Sequence, residues 1–182
     1  MISLPTLVVV GGPPGAGKTT LAHELARVVG CPAICRDAIK EGMVHATPGF
    51  GPAPGDELTA RTLPAFFGVL EFLLRAGVTT VAEAAFQDRV WRPGLEPLRP
   101  LAHIRLVHCQ VDPQVAFARM LRRRQENPLR RAHADPGPQD AMAQAPGQDD
   151  FDRVGVDAPW IEVDTTDGYE PGIAEIAAFV TS

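Results

Sequence analysis

Lysine is almost missing from this chain. Lys18 and Lys40 stand alone against fifteen arginines in 182 positions. Other absences narrow the function further. No apolar run approaches the roughly 20 residues of a membrane-spanning helix, so no membrane partner is expected. The opening MISLPTLVVVGG carries neither a basic region nor a cleavage site and does not read as a secretion signal. Three cysteines, Cys31, Cys35 and Cys109, show no CxxC spacing. Four extended residues separate Cys31 from Cys35 by roughly 13 Å, too far for a disulfide. Small buried thiols in a reducing compartment are expected, which places the protein in the cytoplasm. A guanine-reading NKxD motif is absent, as are the GxGxxG of a dinucleotide fold and the acidic pair of a remodelling ATPase. The net charge of −5 disfavours a nucleic-acid partner, since such binding rests on neutralising phosphates. No aromatic residue lies between Phe117 and Phe151, where the arginines are densest, so a base-stacking platform is missing there.

What remains is a chain of alternating short apolar runs and helical patterns. Leu7–Val10 is fully apolar, β-branched and followed by glycines, as in a buried parallel strand. Lys18–Val29 follows with Leu21, Leu25 and Val28 expected on one helix face. Further strands are expected near 33–35, over 78–86, over 104–111 and over 160–163. Helices are expected over 37–44, 57–75, 112–125 and 172–180, and a Pro-broken helix over 88–101. Together these predict an α/β fold, a five-stranded parallel sheet flanked by helices, as one domain over 1–182. Two stretches read as loops. One is the Gly/Pro-rich run 46–56; the other is about 124–150, expected as a mobile, arginine-bearing lid.

The sharpest feature is GGPPGAGKTT. Gly12 to Thr19 fits GxxxxGK[ST], after an apolar strand and at the start of a helix, which is the setting of a P-loop (Walker A). Glycines let the backbone curl so that successive N–H groups face phosphate oxygens, and the helix N-terminus adds partial positive charge. Prolines 13 and 14 donate no N–H, so Gly15, Ala16, Gly17, Lys18, Thr19 and Thr20 supply the cradle, with Gly12 opening it. Lys18 would reach the β/γ-phosphates and Thr19 would hold Mg²⁺.

CRDAIKEGM comes next. Asp37 lies beyond the carboxyl end of the second strand, where open α/β folds bind ligands. It reads either as a helix N-cap or as a base that takes a proton from an attacking hydroxyl. Lys40 shares its helix face and could hold an anionic substrate. Glu83, ending the third strand, could position the metal's water or touch substrate. The helix from Glu57 would bring Arg61, Phe66 and Phe67 to an acceptor pocket. Trp91 is expected in the core, and His133 as an exposed loop residue. Arg119, Arg122, Arg123, Arg124, Arg130 and Arg131 crowd into thirteen residues, a solvated helix face or a charge clamp over phosphate.

GGPPGAGKTT followed by CRDAIKE resembles the P-loop kinases related to phage polynucleotide kinase, chloramphenicol phosphotransferase and zeta toxin. It is most similar to the predicted-kinase group of AAA-type ATP-binding proteins. VAEAAFQDRVW, the arginine-bearing helix and WIEVDTTDGYE extend the resemblance over nearly the whole chain. The resemblance implies a phosphotransferase using ATP and Mg²⁺, with Asp37 as general base and Arg123 as lid arginine. Lys40 stands where relatives often carry arginine. The implied reaction phosphorylates a small-molecule hydroxyl (antibiotic, nucleoside or sugar-like). Two alternatives stay open, a polynucleotide 5′-hydroxyl kinase and a nucleotide-binding regulatory switch.

Overall fold

A computed structural model describes residues 3–126, 132–133, 151 and 153–182. Most of the expected lid, with Arg130 and Arg131, lies outside the described residues. The chain runs β1 (Thr6–Gly11), α1 (Lys18–Val29), β2 (Ala33–Cys35), α2 (Arg36–His45), α3 (Glu57–Arg75), β3 (Thr80–Glu83) and α4 (Asp88–Leu95). It continues through a 3₁₀ turn (Glu96–Leu101) into β4 (His103–Gln110), α5 (Pro113–Glu126), β5 (Trp160–Asp164) and α6 (Ile173–Thr181). The strands form one parallel sheet in the order β2-β3-β1-β4-β5. This is the α/β fold that the alternation of elements predicts.

Side chains alternate across a strand, so β1 serves both layers. Leu7 and Val9 meet α3 and α4 through Phe66, Leu70, Leu74 and Trp91. Val8 and Val10 meet α1 and α6 through Leu21, Leu25 and Ile176. All four β1 residues are at most 1% exposed, which is why the run is apolar without alternation. Phe66, Phe67, Phe86 and Trp91 form edge-to-face contacts with centroids 5.1–6.0 Å apart, except the tilted Phe67–Phe86 pair at 6.2 Å. Trp91 is a core residue, as the sequence suggests. The Phe67 ring lies on Gly94, where a Cβ would come within 2.1 Å of it.

Some local expectations shift. Val28 is 45% exposed, because the buried stripe of α1 runs through Leu21, Ala22, Leu25 and Ala26 instead. The third strand is shorter than 78–86, since the chain leaves the sheet after Glu83. The helix after β2 starts at Arg36 with Cys35 at its N-cap, so Asp37 sits in the first turn and is not the cap. The three cysteines are free thiols.

Candidate active site

The P-loop joins β1 to α1 at the carboxyl end of the central strand. Gly12, Gly15 and Gly17 have φ of 131°, 82° and 67°. A Cβ on Gly12 would come within 2.3 Å of the Cys109 carbonyl, and one on Gly15 within 2.6 Å of the Ala116 carbonyl. Both obstacles are backbone, so only glycine lets the loop lie against β4 and α5. Gly17 caps α1 in the left-handed region and aims the next residues into the helix. The Ala16 N–H turns back to the Pro13 carbonyl at 3.2 Å.

Lys18 is buried, and its Nζ donates to the same Pro13 carbonyl at 2.7 Å. Burial lowers its pKa, the Glu83 carboxylate opposes that, and Arg123 lowers it further. Thr19 Oγ1 donates to Glu83 Oε2 at 3.1 Å. Glu83 is 5% exposed; burial raises its pKa, and the Lys18 charge works against that rise. Asp37 is more open, with 42% of its side chain exposed and Arg36 Nη1 3.1 Å from its Oδ1.

On the β4–β5 side the loop borders a cleft of about 520 Å³, lined by Gly15, Gly17, Thr20, Arg119, Arg123 and Tyr169 among others. Arg119 Nη2 donates to the Thr165 and Thr166 carbonyls at 2.7 and 3.1 Å. It is therefore held in place, unlike a solvated surface arginine. The structure thus brings Lys18, Thr19, Thr20, Glu83, Arg119 and Arg123 around one loop, with Asp37 across β3.

Four residues expected at the substrate have other contacts in the structure. Lys40 is 3% exposed, and its Nζ donates to Asp56 Oδ2 at 2.8 Å and Thr59 Oγ1 at 2.7 Å. A buried ammonium needs such partners, and these commit it to the junction of the 46–56 loop with α3. Arg61 lies on the outer face of α3, 4.0 Å from Glu57, with both side chains mostly exposed. Phe66 and Phe67 pack into the aromatic cluster. His133 is not an exposed loop residue: its side chain is 8% exposed, and Nε2 lies 3.3 Å from Glu41 Oε1 on α2.

Sequence reading missed Asp56 and Thr165. Asp56 caps α3 by accepting from the Thr59 N–H at 2.7 Å, and a capping signal was visible in its position before ELT. Thr165 is 2% exposed, and its Oγ1 lies 2.9 Å from both the Ala16 and Gln110 carbonyls. It ties the P-loop to the end of β5, a link across 149 residues that no local pattern announces.

Comparisons with known proteins bear on the family and the fold. A family profile described as an AAA domain matches residues 7–144. Among solved structures, a protein from Chloroflexus aurantiacus with a provisional kinase designation superposes with a TM-score of 0.87 at 22% identity, covering 98% of each chain. A gluconokinase from Sinorhizobium meliloti superposes at 0.58 with 18% identity, covering 98% of this chain and 92% of its own. A shikimate kinase from Acinetobacter baumannii, solved with shikimate, superposes at 0.54 with 20% identity, covering 97% and 90%. No curated protein matches the sequence. The family match over most of the chain and the shared fold carry one conclusion: the chain belongs to the AAA domain family, with the P-loop kinase fold.

Proposed function

We propose that this chain is, as one domain, an ATP-dependent kinase that moves the γ-phosphoryl group to a hydroxyl of a small molecule. The observation that carries the reading is the arrangement of Lys18, Thr19 and Glu83 at the loop, with the half-exposed Asp37 across β3. The cradle fits a polyphosphate, since Gly12 and Gly15 leave no room for a Cβ and its lysine is poised on a loop carbonyl that an anion would replace. The oxygens of Thr19 and Glu83, 3.1 Å apart, are the hard donors that suit Mg²⁺. When bound there, Mg²⁺ would neutralise charge on the β- and γ-phosphates. Lys18, Arg119 and Arg123 supply the remaining positive charge, and Thr165 holds the loop in register. Asp37 orients the acceptor hydroxyl and takes its proton. The hydroxyl oxygen bonds to the γ-phosphorus, the bond to the β,γ-bridging oxygen breaks, and ADP leaves with that electron pair.

The test is ADP release from Mg-ATP with pooled hydroxyl compounds. One pool is expected to stimulate turnover. Asp37→Asn is expected to lower that turnover by roughly 100-fold or more while ATP still binds, as loss of a general base does. Stimulated turnover that survives Asp37→Asn would remove Asp37 from the mechanism. ATP binding without stimulation by any pool would favour a nucleotide switch.

A further inference from the structure

We infer, on the kinase reading, that Arg36 binds the acceptor through an oxygen on the carbon next to the hydroxyl that is phosphorylated. The acceptor class is then a vicinal diol, as in a sugar or a ribose. The sheet order separates the two ends of the site. Gly15, Thr20 and the α5 arginines line the cleft on the β4–β5 side of the P-loop. Asp37 follows β2 on the opposite flank, with Glu83 at the end of β3 between them. A hydroxyl that gives its proton to Asp37 therefore meets whatever stands beside that carboxylate.

Arg36 stands there. Its Nη1 donates to Asp37 Oδ1 at 3.1 Å, so guanidinium and carboxylate form one unit at the start of α2. The two differ in exposure, 16% for the Arg36 side chain and 42% for that of Asp37. The Arg36 Nε is buried, and among the described residues it has no hydrogen-bond partner. A guanidinium carries five N–H donors in one plane and keeps its charge at any working pH. Stripping one of those donors of water without an acceptor is unfavourable, so an orphan of this kind needs a reason. Trp91 Nε1 is orphaned too, but it is neutral and packed among Phe66, Phe67 and Phe86. The Arg36 donor, by contrast, belongs to a cation held against the proposed base. An oxygen brought by the acceptor would complete it. A carboxylate and a guanidinium 3.1 Å apart suit two hydroxyls on adjacent carbons. One hydroxyl donates to Asp37, and its neighbour accepts from Arg36 in a charge-assisted bond. A ligand with a lone hydroxyl fills only half of the pair.

The experiment follows phosphorylation by the full chain with Mg-ATP. The acceptors are aldoses and ribonucleosides, each with its monodeoxy derivatives, and simple alcohols and phenols. NMR of the product locates the phosphorylated oxygen, so the derivative lacking only its neighbour is the matched partner. The diol is expected to exceed that partner at least about 10-fold in kcat/KM, the loss of one hydrogen bond to a charged group. Arg36→Met is expected to bring the two within about 3-fold, chiefly by raising KM for the diol, with ATP affinity in calorimetry unchanged. Arg36→Lys, which keeps a charged donor, is expected to recover part of the preference. If Arg36 served only to hold Asp37, Arg36→Met would slow both members equally and keep their ratio. That result, or equal use of the two by the parent chain, would overturn the inference and leave the kinase intact. So would turnover confined to acceptors with no oxygen beside the reacting hydroxyl. Silence from every acceptor, with Mg-ATP bound, would overturn the kinase reading and this inference with it.

Discussion

Lys40→Met separates two roles for one lysine. In the structure its ammonium is 3% exposed and touches Asp56, whose side chain is 6% exposed, at 2.8 Å. Removing it leaves a buried carboxylate with the Thr59 backbone N–H but no counter-charge. Breaking such a pair costs about 3–5 kcal/mol. A surface pair such as Arg61–Glu57, 4.0 Å apart and mostly solvated, contributes only about 0–0.5 kcal/mol. For a domain of this size each kcal/mol moves Tm by about 2–4 °C. Lys40→Met should therefore lower Tm by about 6–20 °C, and Arg61→Ala by no more than about 2 °C. The assay is thermal unfolding followed by far-UV circular dichroism, with urea unfolding at low temperature as a second reading. Adding Asp56→Asn to Lys40→Met keeps the helix cap, removes the orphaned charge and should restore more than half of the loss. If Lys40→Met left Tm within about 2 °C of the parent but raised the acceptor KM, the clamp would be wrong and the lysine would belong to substrate.

Other consequences follow from the same geometry. Gly12→Ala forces a Cβ to 2.3 Å from a backbone carbonyl at a φ of 131°, so it should cost at least about 1–3 kcal/mol and weaken ATP binding in calorimetry tenfold or more. Unchanged affinity would show that the loop shape is not what binds. Burial opposes ionisation of Asp56, but bonds from Lys40 and Thr59 outweigh it and hold the carboxyl at about 2, below its ordinary 3.8. Its contribution to stability is thus present above pH 3.8 and is lost as pH falls toward 2. Asp56→Asn should flatten that acid limb in urea unfolding; an unaltered limb would deny the coupling. Burial pushes the Cys35 and Cys109 thiols up to about 12, so iodoacetamide at pH 8 should modify neither until the protein unfolds. Rapid labelling of Cys35 or Cys109 in the native protein, located by peptide mass spectrometry, would contradict their burial.

Much of the fold was legible in the sequence because its signals are local. The apolar run of β1, the glycines and Lys-Thr of the P-loop, and the 19-residue helix Glu57–Arg75 are each written in consecutive residues with a fixed period. The sheet follows from alternation of such elements, since parallel strands need crossovers. The site was legible where it coincides with the loop itself. It was not legible where a side chain's partner comes from elsewhere. Helical spacing puts Lys40 on the face of Asp37, yet the tertiary fold brings Asp56 across 16 residues to take its charge. Glu83 finds Thr19 across 64 residues, and Thr165 finds Ala16 across 149. Spacing specifies which face a residue occupies. Packing decides how far it is stripped of water, and a group stripped of water takes whichever opposite charge the packing places beside it.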